Sequence, residues 1–138
     1  MRIRFTACLA GFGLIVAALP VGAHHSFNAE YDVKKPVTLK GAVTKIEWKN
    51  PHAYFYIEVK DETGKVANWG LEMGSPNALM RAGWTRNSMK VGDEVVVEAS
   101  RAKDGSDLGN VKVVTLGSTG QRLFGASSGG DQPETPAR

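Results

Sequence analysis

Three histidines are the residues of this chain with the clearest capacity for chemistry, and two of them are adjacent. His24 and His25 follow a segment with the features of an export signal, and His52 is the remaining histidine. Cleavage after Ala23 makes His24 the first residue of the mature chain. A free α-amine and the imidazole of the same residue can chelate a metal, and a third nitrogen completes the T-shaped set that suits Cu(II). The three histidines therefore form a candidate copper site.

Two arrangements of copper ligands stay open, together with an interpretation that involves no metal. In the first, His24 binds through its amine and imidazole, and His52 supplies the third nitrogen if the fold brings the N-terminal segment across the turn at Asn50-Pro51. In the second, the amine, the intervening amide and the imidazole of His25 form a local chelate. Without a metal, His24 and His25 are a polar start to the mature chain and His52 caps a turn.

Four aromatic residues form a candidate ligand face on the first three predicted strands: Trp48, Tyr54, Tyr56 and Trp69. Small barrels of the OB type commonly bind ligands on the face made by strands two and three. If Phe55 and Ile57 point inward, then Tyr54 and Tyr56 point outward, because successive side chains of a strand alternate. The alternative is that the rings cover the barrel against the helix or the N-terminal segment.

The remaining chemistry-bearing side chains are interpreted as structural. Three methionines are assigned to the core: Met73, Met80 and Met89. Three strand-borne acids are assigned to the solvated surface: Glu47, Glu58 and Glu72.

The sequence has no Gly-x-Ser-x-Gly, phosphate-loop or zinc-protease motif and no recognisable pair of nucleophile and base. These observations favour a binding module over an enzyme. The competing classes are a redox cuproenzyme that uses the terminal histidine and an OB domain that binds oligosaccharide or protein without metal.

Residues 1–23 predict a cleaved export signal. Arg2 and Arg4 precede an apolar run from Phe5 to Leu19, and small residues lead to Ala23. The run is shorter than the roughly 20 residues of a membrane-spanning helix, and no second apolar run follows. We therefore expect a periplasmic or secreted protein with no membrane span after cleavage. The only cysteine, Cys8, lies in the signal, so the mature chain has neither a thiol nor a disulfide.

The charge balance changes when the signal is removed. Two of the 17 basic residues lie in the signal and all 14 acidic residues follow it, so the net charge falls from +3 to +1. Binding to nucleic acid depends heavily on neutralising phosphates. The sequence therefore predicts no nucleic-acid partner, and we expect a small ligand or an exported or envelope protein instead.

The apolar pattern predicts three strands, a short helix and two further strands. The predicted strands are Val37 to Trp48, Ala53 to Val59, Val66 to Leu71, Glu94 to Ala99 and Asn110 to Leu116, with a sixth left open at Arg122 to Phe124. The first strand needs a bulge near Thr44 and Lys45, where its apolar positions switch from odd to even. Ser75 and Gly83 are suited to cap the helix between them.

This element order is that of an OB-like five-stranded β-barrel with one short helix between strands three and four, over residues 24–124. Residues 125–138 are rich in Gly, Ser and Pro and predict a disordered tail.

Several short motifs of the mature chain are similar to those of a known family: His24-His25-Ser26-Phe27, Lys35-Pro36-Val37-Thr38-Leu39, Asn50-Pro51-His52, Gly74-Ser75-Pro76-Asn77, Gly83-Trp84 and Arg101-Ala102-Lys103-Asp104-Gly105. Together they span nearly the whole mature chain, from His24 to Phe124. On these residues the protein resembles a group of small exported bacterial proteins classed as a domain of unknown function. The resemblance implies export and an OB-like barrel, and it supplies no substrate.

Overall fold

The computed structural model describes Phe27 and residues 29–127. The predicted signal, His24 and His25 lie outside these residues. Within the described part, the strands are β1 (Tyr31–Glu47), β2 (Tyr54–Lys60), β3 (Val66–Glu72), β4 (Glu94–Ala102), β5 (Leu108–Leu116) and β6 (Arg122–Phe124), and helix α1 is Pro76–Arg81. No helix in this part of the chain is long and apolar enough to cross a membrane.

The strands close into an OB-like barrel, as the sequence predicts. β1 pairs in antiparallel fashion with both β2 and β4, and the hairpins β2–β3 and β4–β5 extend the sheet on either side. Parallel pairing of β3 with β5, where Gly70 lies opposite Leu108, closes the barrel. β6 pairs with the other end of β5, which confirms the sixth strand that the sequence left open.

β1 is long because it contributes to both halves of the barrel. Its register with β2 shifts between Val43 and Lys45, which confirms the predicted bulge. The predicted start at Val37 is wrong, because β1 begins at Tyr31 and pairs there with Ala102 of β4. The residues between Tyr31 and Pro36 are mostly polar and carry no regular apolar alternation, so the sequence predicts an extended lead-in from Phe27 to Lys35 but not its pairing as part of the strand.

The core lies inside the barrel and contains the alternate residues of each strand. Phe55, Ile57 and Leu71 are fully buried there. Met73 and Met89 also belong to the core, as predicted, whereas Met80 is 52% exposed on α1, so its assignment to the core is wrong.

Helix α1 has the predicted caps. The Ser75 hydroxyl accepts a 3.2 Å hydrogen bond from the Ala78 amide, and Pro76 is the first helical residue. Gly83 follows the helix with φ of 97°, a conformation that favours glycine. The helix therefore ends where the sequence indicates.

Residues 125–127 pack on the barrel, which corrects the predicted start of the disordered tail. The Gly74 amide donates to the Gly125 carbonyl at 2.8 Å, and the Gly125 amide donates to the Lys112 carbonyl at 2.8 Å. The buried Ser127 hydroxyl donates to Asn110 Oδ1 at 2.5 Å. These bonds supply partners to buried polar groups, which a Gly/Ser-rich composition does not predict. Residues 128–138 lie outside the described part of the chain.

Candidate functional site

Glu72, at the end of β3, is the centre of a polar cluster on the outside of the barrel. Only 9% of its surface is exposed. The Tyr31 hydroxyl donates a 2.7 Å hydrogen bond to Glu72 Oε2, and the Tyr54 hydroxyl donates to the same oxygen at 3.0 Å. A buried carboxyl group requires such donors because it has lost its contacts with water. The assignment of Glu72 to the solvated surface is therefore wrong.

His52 completes this group, which we call the Glu72 cluster (Tyr31, His52, Tyr54 and Glu72). Its Nδ1 lies 3.0 Å from Glu72 Oε1 and 3.1 Å from the Met73 carbonyl oxygen. The His52 side chain is 34% exposed. Among the described residues, none forms a hydrogen bond with Nε2.

The backbone fixes the elements that carry the cluster. Tyr54 and Glu72 are directly opposed residues of the β2–β3 hairpin, so their side chains lie on the same face of the sheet. The loop that carries His52 is tied to the chain after β3 because the Ala53 amide donates to the Gly74 carbonyl at 3.0 Å and the Met73 amide donates to the Ala53 carbonyl at 2.9 Å. His52 is thereby held against the end of β3.

The segment before β1 is also fixed beside the cluster. Phe27, Tyr31 and Ala102 form a small buried group outside the main core, and the Phe27 and Tyr31 ring centroids are 5.7 Å apart. The Lys103 amide donates to the Glu30 carbonyl at 2.9 Å. Phe27 and Glu30 are therefore held against the start of β1 and the end of β4.

Ionisable groups around the cluster respond to burial and to local negative charge. Burial raises the pKa of Tyr31 above its usual range, and the hydrogen bond to Glu72 acts in the same direction. Burial also raises the pKa of Tyr54, and the charge of Glu72 raises it further. The pKa of Glu30 is raised by burial and then by the charges of Glu72 and Asp104. Glu30, Glu72 and Asp104 therefore lie close enough to influence one another electrostatically.

The predicted aromatic face is divided by the structure. Tyr54 and Tyr56 lie half-buried on the outside of β2, as predicted. Trp69 is buried in the core opposite Ile57, and Trp48 packs partly buried against the core, so neither joins them as an open ligand surface. Both tryptophans therefore pack in or against the core.

Charged residues surround the two tyrosines. Lys45 and Lys49 form ion pairs with Glu47 at 2.6 and 3.0 Å, and each ammonium lies over a tyrosine ring, at 5.3 Å from Tyr56 and 5.8 Å from Tyr54. Hydrogen bonds from Lys45 and then Lys49 lower the pKa of Glu47 to about 2. This outer face of β2 therefore combines aromatic and charged groups.

His52 is the member of the predicted copper site that the structure describes, and it lies in the Glu72 cluster. Within Phe27 and residues 29–127, no group of three or more His, Cys, Asp or Glu side chains is arranged to hold a metal. Tyr31 and the role of Glu72 are not among the residues that the sequence predicts for the site. The contact between Tyr54 and Glu72 follows from the turn at Asp61–Gly64. If this turn pairs Lys60 with Val66, the same hairpin register places Tyr54 opposite Glu72.

Comparisons with known proteins identify a family and a similar fold. A sequence model described as "Family of unknown function (DUF6152)" matches residues 12–111. No curated protein matches the chain significantly. A crystal structure of Rim1, a mitochondrial single-stranded DNA binding protein from S. cerevisiae, is similar with a TM-score of 0.45 and 14% identity over 59% of this chain and 93% of Rim1.

The exclusion of nucleic acid as a partner is corrected by this comparison. The sequence predicts no nucleic-acid partner, whereas Rim1 is named as a single-stranded DNA binding protein. At this level of identity the similarity concerns the fold, and what Rim1 binds is a property of Rim1.

Proposed function

The chain belongs to this family of unknown function, DUF6152, and we propose that it is an exported binding module that takes Cu(II) through the amino terminus at His24 and through His52. One observation carries the proposal. The segment that follows the predicted cleavage site is joined to the loop of His52 through Glu72, because Tyr31 and His52 contact the two oxygens of that carboxylate at 2.7 and 3.0 Å.

The length of chain between the anchor and the terminus favours a shared site. Three peptide units separate Phe27 from His24, and they span at most about 11 Å when extended. Phe27 packs on Tyr31, and the Tyr31 hydroxyl donates to the Glu72 carboxylate. The same carboxylate contacts His52. The amine and imidazole of a terminal His24, with His52 as a third nitrogen, then form a ligand set that suits Cu(II). The local chelate through His25 is the competing arrangement.

The charge around the cluster also favours a cation. Glu30, Glu72 and Asp104 are close enough for the two other carboxylates to raise the pKa of Glu30. A metal cation that binds near His52 is attracted by these negative charges, whereas an anion is repelled. The surroundings of His52 therefore support a positively charged ligand.

A binding role is favoured over hydrolysis by what surrounds His52. A histidine beside a carboxylate also acts as a general base in hydrolases, but it then requires a nucleophile at its other nitrogen. No hydroxyl or thiol among the described residues hydrogen-bonds to His52 Nε2. The competing class is a redox cuproenzyme. If the protein belongs to it, the copper-loaded form should turn over oxygen or peroxide in the presence of a reductant, and His24→Ala should abolish this activity.

The decisive experiment is a Cu(II) titration, followed by electron paramagnetic resonance, of protein that begins at His24. We expect one tight site with nitrogen ligands. Its affinity should fall in acid, because protons compete for an α-amine with an ordinary pKa of about 7.7 to 8.0 and for imidazoles near 6.5. A protein with one methionine left ahead of His24 should lose the site while its circular dichroism spectrum is unchanged. Equal binding by both forms, or no binding below high micromolar copper, contradicts the proposal.

Two variants distinguish the ligand arrangements. His52→Ala should weaken copper binding if this imidazole is the third ligand, whereas it should have no effect on a local chelate. His25→Ala should do the reverse. Lys65→Ala, in the remote β2–β3 turn, is the matched surface control and should change neither the affinity nor the spectrum.

A second candidate function is recognition of an oligosaccharide on the outer face of β2 without metal. It is favoured by the half-exposed rings of Tyr54 and Tyr56, because OB barrels bind ligands on this face. Tyr56→Ala should then abolish binding on a glycan array while the copper titration stays unchanged. Glycan binding that survives this substitution contradicts a role for the tyrosine face.

A further inference from the structure

Both atoms that face His52 Nδ1 are hydrogen-bond acceptors. They are Glu72 Oε1 at 3.0 Å and the Met73 carbonyl oxygen at 3.1 Å. A neutral imidazole has one N–H group, and only a proton on Nδ1 satisfies these contacts. The lone pair of the neutral ring therefore lies on Nε2.

We infer that Glu72 is a positioning residue for His52: together with the Met73 carbonyl, which is hydrogen-bonded to Nδ1, it holds the ring proton on Nδ1 and presents Nε2 as the nitrogen that binds a metal cation. Histidines that bind metals commonly donate their other N–H to a carboxylate or a carbonyl, which fixes the ring and makes the binding nitrogen more basic. The identity of the cation rests on the proposed function, whereas the orientation of the ring does not depend on it.

The surroundings of Glu72 suit this role because they hold the carboxylate in one orientation. Tyr31 and Tyr54 both donate to Oε2, which leaves Oε1 for His52. The carboxylate is anchored by residues from two different strands, β1 and β2, and is almost completely buried. A ligand imidazole held in this way loses little conformational freedom when it binds a metal.

The orientation of the ring is measurable without any metal. Nitrogen-15 correlation spectra at about pH 8, above the ordinary imidazole pKa of about 6.5, distinguish the two neutral tautomers. We expect the Nδ1–H tautomer for His52 in the wild-type protein. We expect Glu72→Ala, or Glu72→Leu if the alanine variant does not fold, to transfer part of the population to Nε2–H, because neither side chain can accept a hydrogen bond from Nδ1. An Nε2–H tautomer in the wild type overturns the inference.

Copper affinity provides a second measurement. Glu72→Gln keeps the shape of the side chain and removes the carboxylate that supports the imidazole as a metal ligand. We expect Cu(II) affinity to fall about 10- to 100-fold, with the spectrum still reporting the same nitrogen ligands. Glu58→Gln removes an exposed carboxylate from β2, next to β3, and is the matched control, with no effect expected. Equal affinity in wild type and Glu72→Gln overturns the positioning role.

The two measurements separate this inference from the proposed function. If the wild type shows the Nδ1–H tautomer and the Glu72 variants lose it, but no form binds copper, the positioning of His52 by Glu72 stands and the copper function fails. If copper binds equally well with and without the Glu72 charge, the copper function stands and the positioning role fails.

Discussion

The Tyr31 hydroxyl donates a 2.7 Å hydrogen bond to Glu72, which lies 41 positions further along the chain. This bond joins the start of β1 to the end of β3, two strands that do not pair with each other. It therefore connects the N-terminal segment to the part of the barrel that carries His52. The stability of the barrel and the geometry of the candidate site depend on the same contact.

Tyr31→Phe should destabilise the protein by about 1.5 to 3 kcal/mol. The variant keeps the ring that packs on Phe27 and removes one of two hydroxyls that donate to a buried carboxylate, and hydrogen bonds to charged groups contribute about this much. Urea denaturation measures the change. Tyr56→Phe is the matched control, since that hydroxyl makes a longer 3.3 Å bond to the half-exposed Glu47. Equal effects of the two substitutions would contradict the importance of the buried contact.

The protein should lose stability in alkaline solution as its tyrosines ionise. The pKa of Tyr31 and that of Tyr54 are raised in the folded state, chiefly by burial. Unfolded tyrosine ionises near pH 10, so the stabilisation is complete below that pH and is lost as the pH rises toward the folded pKa values. Tyrosinate absorbance and circular dichroism should show that these two tyrosines ionise only when the protein unfolds. Their ionisation near pH 10 in the folded protein would contradict the prediction.

Most of the barrel could be predicted from the sequence because local signals agree with the fold. Alternation in β2, the switch of apolar positions at the bulge of β1 and the residues that cap α1 each report on a few neighbouring residues. The start of β1 could not be predicted in this way, since its pairing of Tyr31 with Ala102 joins residues distant in the sequence.

The candidate site was predictable only in part for the same reason. His52 attracts attention because histidines are few, but nothing in the sequence indicates that Glu72 is buried. Its burial depends on Tyr31 from β1 and Tyr54 from β2, and only the second contact follows from a hairpin. An acid at the end of a strand is more often solvated, and only the tertiary fold distinguishes this one.

Ser75→Ala should destabilise the protein by about 1 kcal/mol. The Ser75 side chain accepts the amide hydrogen of Ala78 at the start of α1, and removal of such a cap typically has an effect of this size. Ser118→Ala, in an exposed turn, controls for the substitution itself. Thermal unfolding of both variants measures the difference. An unchanged midpoint for Ser75→Ala would show that the cap does not contribute to stability.

A chain that ends at Phe124 should be less stable than one that ends at Ser127, by about 2 to 4 kcal/mol. Truncation after Phe124 removes the Gly125 carbonyl that accepts from Gly74 and the Ser127 hydroxyl that donates to Asn110, and buried polar groups left without partners cost about 1 to 3 kcal/mol each. Urea denaturation of the two chains measures the effect. Ser127→Ala in the full chain should show a part of it. Equal stability of the two truncated chains would mean that residues 125–127 belong to the tail, as their composition suggests.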